Sequence, residues 1–175
     1  VVVLATGGIP LSTHFQGLEN THWMLAVDIL DGGLRVESET AFVIGGGLVG
    51  LETADFLAFE GVKVTLVEIL DEVGGDMDPL AKTMIPNRLK KAGVKIFTNT
   101  EVLALKNDTV IAQHNGSVII FPMETLVIAV GVRANRELPD RLLKSSLEVY
   151  VIGDAVEPRN ALDAIQDGFD VGNKV

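Results

Sequence analysis

One glycine-rich segment constrains the fold of this chain more than any other part of its sequence. The apolar run Ala41–Ile44 leads directly into Gly45–Gly50, whose residues have the spacing G-x-G-x-x-G. A helical pattern follows, and a second apolar run, Lys63–Val67, ends at the acidic residue Glu68. This order of strand, glycine loop, helix, strand and acid is the full context expected of a dinucleotide-binding fingerprint, rather than the bare glycine pattern.

Each part of this fingerprint has a physical role. Gly45 allows a tight turn, Gly47 lets the backbone approach a pyrophosphate, and Gly50 lets the helix pack close to the strand. The N–H groups and the positive dipole end of the helix then face the phosphates. Glu68, eighteen residues after Gly50, is able to accept hydrogen bonds from both hydroxyls of an adenosine ribose. The residues predicted from this pattern to bind the dinucleotide are Gly45, Gly46, Gly47, Leu48, Val49, Gly50 and Glu68.

The composition favours a sheet that is covered on both faces. Hydrophobic residues make up 47% of the 175 residues, and the mean hydropathy is +0.35. Strands of a parallel sheet read as continuous apolar runs, which accounts for these values. A membrane span is not predicted, because the longest apolar region, Val118–Val132, is interrupted by Pro122 and Glu124.

The first half of the chain has the pattern of successive βαβ units. Gly61 and Gly93 are typical of residues that end a helix, and Asp78 followed by Pro79 is typical of a helix start. Pro86 lies within the second helical pattern, where a kink or a break is expected because proline lacks the N–H group. The predicted elements are helices over 21–30, 48–60 and 79–92 and strands over 41–44, 63–68 and 94–98.

The region after the βαβ units has the pattern of short antiparallel strands. Glu101–Lys106, Thr109–His114 and Ser117–Phe121 are short and rich in β-branched residues, and Asn115-Gly116 is a strong hairpin signal. Thr125–Val130 then reads as a buried strand of the parallel sheet. The predicted fold is α/β: a Rossmann-like three-layer nucleotide-binding domain with a parallel sheet and an inserted antiparallel β-meander.

Charge and cysteine content exclude several classes of function. The net charge of −10 and the isoelectric point of about 4.6 argue against a nucleic acid or an anionic membrane as partner. The chain contains no cysteine, so it has no disulfide, thiolate metal site or redox dithiol. No signal peptide is recognised at Val1, and a cytoplasmic location is therefore expected.

The remaining polar and aromatic residues suggest no additional site. No metal site is predicted, because neither the histidines nor the aspartates have a ligand spacing, and the latter do not fit a calcium loop. Trp23 and the seven phenylalanines are expected in the core. The residues interpreted as ordinary loop or strand positions are His14, His22, His114, Asp71, Asp76 and Asp78.

Four motifs in order resemble those of a known superfamily. Thr6–Pro10 resembles the Ala-Thr-Gly junction of flavoproteins with two dinucleotide domains, and Gly45–Glu52 resembles their second fingerprint, G-G-G-x-x-G-x-E. Ala129–Asn135 resembles the junction A-x-G-x-x-P-N, with alanine in place of proline, and Val149–Ala155 resembles the closing flavin motif. Together these motifs resemble the pyridine nucleotide–disulfide oxidoreductase superfamily.

The resemblance narrows further at Val151–Ala161, which is most similar to the NADH:flavin oxidoreductases of the 2,4-dienoyl-CoA reductase, 2-enoate reductase and trimethylamine dehydrogenase group. In that group the module follows an old-yellow-enzyme barrel. The first fingerprint of the family, which binds FAD, would precede Val1. The resemblance therefore implies an excised NADH-binding domain, with FAD and the rest of a parent flavoprotein as its partners.

Several residue roles are implied by the resemblance alone. Glu52 is placed near the nicotinamide ribose, although its interpretation as an acid in the first helical turn, complementing the helix dipole, is equally open. Gly131 would let the backbone approach the nicotinamide side of the cofactor. The residues implied on the flavin side, in a latent role, are Thr6, Gly7, Gly153 and Asp154.

The resemblance also implies a domain organisation. Residues 1–20 are expected to be an N-terminal flavin-domain remnant with a linker, 21–131 the NAD(H)-binding domain, and 132–175 a C-terminal flavin-domain remnant. The two terminal segments, Val1–Pro10 and Val149–Val175, have three possible states: paired with each other, loose, or packed on a neighbouring molecule.

The leading hypothesis is the NADH-binding domain of an oxidoreductase that passes a hydride from NADH to FAD. NADH is favoured over NADPH because Glu68 would repel a 2′-phosphate and no arginine follows it within five residues. The isolated chain has no group that accepts a hydride, so it is expected to be inactive alone. Two alternatives remain: a non-catalytic NAD(H)-sensing module, and a methyltransferase with the same sheet and glycine loop.

Overall fold

A computed structural model describes residues 1–11, 15–75 and 77–175. The interpretations of His14 and Asp76 concern residues outside these ranges. The chain divides into two compact units. One, here called the central unit, is Ser12–Gly131, and the other, here called the flanking unit, is Val1–Leu11 with Val132–Val175.

The strands of the described residues are three to seven residues long. In chain order the strands are β1 Val2–Leu4, β2 Gly8–Pro10, β3 Trp23–Leu25, β4 Thr40–Ile44, β5 Lys63–Val67, β6 Lys95–Phe97, β7 Thr100–Lys106, β8 Thr109–His114, β9 Ser117–Pro122, β10 Thr125–Ile128, β11 Val132–Ala134 and β12 Val149–Val151. The α-helices are α1 Ala26–Leu30, α2 Leu48–Phe59, α3 Pro79–Lys91, α4 Glu137–Leu142 and α5 Ala161–Gly172, and 3₁₀ turns cover Leu18–Asn20 and Gly153–Ala155.

The central unit is built on a five-stranded sheet of order β3-β10-β4-β5-β6, in which every pairing is parallel. Strand β4 begins the βαβ series, which extends through β5 and β6 on one side, whereas β10 returns on the other side. The chain therefore reverses its direction of winding between β4 and β10. In open α/β sheets the crevice at such a switch point, at the carboxyl ends of the strands, is where ligands bind.

Two apolar clusters cover the two faces of this sheet. Ala41 and Val43 of β4 pack in a cluster with residues of α1, α2 and α3, whereas Phe42 and Ile44 pack in a cluster with residues of β7, β8 and β9. Successive side chains of a strand point to opposite faces, which explains this division. The antiparallel meander thus forms a third layer, and the predicted three-layer α/β fold is confirmed.

Local signals at turns and caps were reliable. Asp78 caps α3 by accepting hydrogen bonds from the N–H groups of Leu80 and Ala81 at 2.9 and 3.1 Å. Gly61 and Gly93 follow their helices with φ of +88° and +83°. These are left-handed conformations in which glycine carries no steric penalty.

The helix predicted over 21–30 is wrong in its first half. Trp23–Leu25 forms the edge strand β3, paired with Leu126–Ile128 of β10, and the helix begins only at Ala26. Hydrogen bonding to a neighbouring strand here prevails over a weak helical periodicity, as tertiary context commonly does. Trp23 is 42% exposed because β3 lies at the sheet edge, so its predicted place in the core is also wrong.

No break occurs at Pro86, since α3 runs without interruption from Pro79 to Lys91, and the kink given as the other possibility stays a prediction. The helix is fixed on both sides of the proline. Asp78 caps its start, and Leu89 is fully buried near its end. The core prediction also fails for three of the phenylalanines, because Phe56, Phe59 and Phe169 are 42%, 87% and 66% exposed.

In the flanking unit the terminal segments pair with each other. Strand β1 lies parallel to β12, with Val2 opposite Val149, and β2 lies antiparallel to β11, with Ile9 opposite Arg133. Helix α5 follows, capped by the side chain of Asn160. Of the three states considered for the terminal segments, the structure therefore has the one in which they pair with each other. No helix within the described ranges combines the length and the apolar character needed to cross a membrane.

Candidate functional site

The glycine loop lies at the carboxyl end of β4, beside the end of β10. Gly45 has a φ of +107°, and a Cβ atom on it would lie 2.3 Å from the carbonyl oxygen of Ala129. A Cβ atom on Gly50 would lie 2.0 Å from the carbonyl oxygen of Gly45. Real Cβ atoms do not come this close to backbone, so both positions require glycine. The loop is therefore a tight turn on which the first turn of α2 packs directly.

Helix α2 begins at Leu48, with Gly47 as its N-cap. Gly47 has no side chain with which to cap the helix. Its carbonyl accepts the N–H of Leu51 at 3.0 Å. The positive end of a helix dipole favours an anion at such a position. The loop and the helix start thus have the character of a phosphate-binding turn.

Glu52 is not in the first turn of this helix. It is the fifth residue of α2, no acidic residue lies in the first turn, and its side chain is exposed. The interpretation of Glu52 as an acid that complements the helix N-terminus is therefore wrong. Its implied role near the nicotinamide ribose stays a prediction.

The Glu68 carboxylate lies directly beside the glycine loop. Its Oε2 atom accepts a hydrogen bond from the N–H of Gly46 at 2.6 Å, and its Oε1 atom accepts one from the N–H of Leu70 at 2.9 Å. A carboxylate has about four acceptor sites, so two donors leave capacity for two more. The geometry therefore leaves this half-buried acid able to accept hydrogen bonds from a pair of vicinal hydroxyls.

The segment after Glu68 also contacts the loop, which sequence reasoning missed. The N–H of Gly74 donates to the carbonyl of Gly46 at 2.7 Å, and Val73 packs on the apolar cluster beneath α2. The interpretation of Asp71, Asp76 and Asp78 as ordinary loop positions does not predict this contact. A signal was present in the apolar Val73 followed by two glycines, since Gly74 adopts a φ of +69°.

Gly131 lies near the same edge of the sheet. It follows β10 by three residues, is exposed and has a φ of +106°. The chain between β10 and Gly131 is fixed to the glycine loop's strand, because the N–H of Ala129 donates to the carbonyl of Ile44 at 2.8 Å. The glycine loop, Glu68 and Gly131 thus lie at the carboxyl ends of β4, β5 and β10.

The residues implied on the flavin side lie in the flanking unit. The Thr6 hydroxyl donates to the carbonyl of Asn135 at 3.3 Å, and the N–H of Asn135 donates to the carbonyl of Gly7 at 3.1 Å. The first and third motifs are therefore hydrogen-bonded to each other, although they are more than a hundred residues apart in sequence.

Gly153 and Asp154 follow β12 in a 3₁₀ turn. The N–H of Gly153 donates to Asp167 of α5 at 3.0 Å, and Asp154 accepts the N–H of Arg159 at 3.3 Å. Arg159 also forms an ion pair with Asp167. These contacts hold the turn against α5.

A comparison with protein families decides the assignment. The family model described as "Pyridine nucleotide-disulphide oxidoreductase" matches residues 1–168. The chain belongs to this family. The resemblance inferred from the four motifs is thereby confirmed.

Similar proteins are oxidoreductases that are much longer than this chain. The NADH oxidase of Thermoanaerobacter brockii is 35% identical over 97% of this chain, which spans 27% of that protein. The metal reductase of Desulforamulus reducens is 28% identical over 96% of this chain, which spans 29% of that protein. The chain thus spans little more than a quarter of the length of these relatives.

Solved structures give the same fold. A 2-naphthoyl-CoA reductase is 28% identical with a TM-score of 0.90, and the match covers 99% of this chain and 26% of that one. The histamine dehydrogenase of Rhizobium sp. 4-9 has a TM-score of 0.84 at 20% identity, over 99% of this chain and 30% of that one, which supports the fold alone.

Proposed function

We propose that this chain is the NADH-binding domain, with two flavin-domain segments, of a larger oxidoreductase that passes a hydride from NADH to FAD. The observation that carries the proposal is the contact between the Glu68 carboxylate and the Gly46 N–H at 2.6 Å. It joins a ribose-binding acid to a phosphate-binding loop at the switch point of the sheet. The family of this chain and the NADH oxidase among the similar proteins support this cofactor pair.

The residues of the central unit fit NADH. The backbone of Gly45–Gly50 would hold the pyrophosphate at the start of α2, and Glu68 would accept the adenosine ribose hydroxyls. A 2′-phosphate would meet the Glu68 carboxylate, which disfavours NADPH. Gly131, at the end of the neighbouring strand, would lie on the nicotinamide side.

The protein contributes binding and orientation, since the nicotinamide and the flavin supply the hydride donor and acceptor when bound. In this proposal residues 21–131 form the NADH-binding domain and residues 1–20 and 132–175 belong to the flavin domain. Thr6, Gly7, Gly153 and Asp154 would complete a flavin site only together with the rest of the parent. The methyltransferase alternative loses support, because the family and the named relatives are oxidoreductases.

Titration calorimetry of the chain with NADH and with NADPH tests the proposal. We expect NADH to bind at millimolar concentration or below and NADPH to bind more weakly. We also expect no steady-state NADH oxidation by the isolated chain, with or without added FAD. The absence of NADH binding, or tighter binding of NADPH, would contradict the assignment. Catalytic oxidation of NADH by the isolated chain would contradict the need for the parent.

A further inference from the structure

Gly46 lies between the first two glycines of the fingerprint, at a position where the G-x-G-x-x-G pattern allows any residue. In this protein Gly46 is held on both sides. Its N–H donates to Oε2 of Glu68 at 2.6 Å, and its carbonyl accepts the N–H of Gly74 at 2.7 Å. Gly46 therefore connects the ribose-binding acid with the segment 69–75 that follows it.

The atoms around Gly46 leave no room for a side chain at this position. A Cβ atom on Gly46 would lie 2.6 Å from Cγ1 of Val73, 3.0 Å from Cβ of Glu68 and 3.2 Å from Oε2 of the same residue. The backbone of Gly46 is outside the left-handed region, so an alanine would face no backbone strain there. The atoms nearest to such a side chain, among the residues that the structure describes, belong to Val73 and Glu68.

Val73 is itself anchored. It packs against the buried cluster beneath α2, as does Met77. The N–H of Met77 also donates to the carbonyl of Gly74 at 3.1 Å. The segment that touches Gly46 is therefore fixed to the core rather than free to yield.

The main chain of Glu68 is also fixed, because it continues the pairing of β5 with the β6 side of the sheet. Its N–H donates to the carbonyl of Phe97 at 2.9 Å, and its carbonyl accepts the N–H of Thr100 at 2.8 Å. With the backbone held, the position of the carboxylate depends on the donors Gly46 and Leu70. A shift of Gly46 would thus move or release one carboxylate oxygen.

We propose that Gly46, held by its hydrogen bond from Gly74 and left by Val73 with no room for a side chain, positions the Glu68 carboxylate and thereby determines the preference for NADH over NADPH. This inference rests on the proposed NADH-binding function. A displaced carboxylate would lose hydrogen bonds to the ribose of NADH and would repel a 2′-phosphate less. The preference, rather than binding in general, is what Gly46 controls.

Three variants and a control test the inference: Gly46→Ala, Val73→Ala, the double variant, and Gly75→Ala. A Cβ atom on Gly75, one residue beyond Gly74, meets no atom within 4 Å, which makes it the matched control. Dissociation constants for NADH and NADPH are measured by calorimetry on the 175-residue chain, with thermal unfolding followed in parallel.

We expect Gly46→Ala to weaken NADH binding about tenfold, the size expected when one hydrogen bond to a charged group is lost. NADPH binding should be unchanged or tighter, so the ratio of the two constants falls. The double variant should recover most of the affinity and preference for NADH, because truncation of Val73 removes the 2.6 Å contact. Val73→Ala keeps the hydrogen bonds of Gly46 to Gly74 and Glu68, so it should match the original chain, as should Gly75→Ala. A lower preference for NADH in Val73→Ala alone would contradict a purely steric role of Val73.

Equal loss of NADH and NADPH affinity in Gly46→Ala, or the absence of recovery in the double variant, would overturn the inference. If Gly46→Ala fails to fold, recovery of folding and binding in the double variant supports it, and failure of both variants to fold contradicts it. The original chain separates the two proposals: if it binds no NADH, the proposed function itself fails.

Discussion

Arg88 of α3 holds Asp55 of α2 through two parallel hydrogen bonds, from Nε to Oδ1 and from Nη2 to Oδ2, each of 2.7 Å. Helical spacing alone does not explain an acid so close to the buried face of α2, where an unpaired charge is costly. The structure explains it, because Asp55 is only 26% exposed and joins the helix that begins at the glycine loop to its neighbour. Helices α2 and α3 are thus held together by an ion pair as well as by apolar packing.

A double-mutant cycle of Asp55→Ala and Arg88→Ala should give a coupling free energy of about 1 kcal/mol, the upper end for a partly exposed bidentate pair. The coupling should fall as salt is added, because exposed charges are screened. Urea unfolding of the four proteins measures it.

The ion pair between Arg136 and Asp140 in the flanking unit is the control for this cycle. Its two side chains are 47% and 54% exposed and lie one turn apart at the start of α4. We expect a coupling of about 0.3–0.5 kcal/mol there, as for other pairs of this spacing. A coupling at Asp55 no larger than this value would mean that the bidentate geometry adds nothing.

Replacement of Glu68 tests its two proposed effects, which are hydrogen bonding to the ribose of NADH and repulsion of the 2′-phosphate of NADPH. Glu68→Gln keeps an acceptor oxygen but removes the charge, so NADH should bind about tenfold more weakly, in line with the loss of a charge-assisted hydrogen bond. NADPH should bind no worse than before, because the repulsion of the 2′-phosphate disappears. Calorimetry with both nucleotides measures the change in preference.

Glu101→Gln is the matched control for this charge change, since Glu101 is an exposed acid on β7. It should leave both dissociation constants unchanged. If Glu101→Gln and Glu68→Gln alter the preference equally, the effect comes from the net charge of the chain and not from a ribose contact.

The elements of the central unit could be predicted because their signals are local. The glycine loop, the Asn115-Gly116 turn and the Asp78 cap each depend on conformations that few residue types adopt, and Asn115 and Gly116 indeed have φ of +47° and +82°. The alternation of Ala41, Phe42 and Val43 between two faces likewise follows from strand geometry.

The errors occurred where a partner distant in sequence decided the structure. Trp23–Leu25 became a strand because β10, about a hundred residues later, accepts it at the sheet edge. The contact of Val73 and Gly74 with Gly46 depends on how the loop after β5 folds back onto the loop after β4. No periodicity within either segment carries that information.

Substitution of Gly50 tests how closely α2 packs on the loop. In Gly50→Ala the new Cβ atom would lie 2.0 Å from the carbonyl oxygen of Gly45, a backbone atom that cannot rotate away. We expect a loss of about 3 kcal/mol or more in the free energy of unfolding, the upper range for overpacking. Chemical denaturation measures it, together with loss of NADH binding.

Gly168→Ala is the control for Gly50→Ala, because here a glycine inside a helix has room for a side chain. Gly168 lies inside α5, and a Cβ atom on it meets nothing within 4 Å. Alanine should therefore stabilise the helix by about 0.5–1 kcal/mol, since glycine is the poorer helix former. Equal effects of the two substitutions would show that the close approach at Gly50 is not rigid.

Helix α5 carries an apolar stripe that the isolated chain leaves in contact with water. Leu162, Ile165 and Phe169 are 74%, 68% and 66% exposed, at a spacing that places them on one side of the helix. In the proposed parent this stripe would be covered by the rest of the flavin domain. We therefore expect the isolated chain to bind a hydrophobic dye and to self-associate at high concentration.

Replacement of these three residues by glutamine should reduce dye binding and self-association in the isolated chain, measured by fluorescence and sedimentation. It should leave the affinity of the chain for NADH unchanged, because the proposed nucleotide site belongs to the central unit. The same replacement in the parent should instead destabilise the protein by several kcal/mol, since three buried apolar side chains are each worth about 1.5–3 kcal/mol. A parent that tolerates all three substitutions without loss of stability would contradict the proposed flavin-domain packing of this helix.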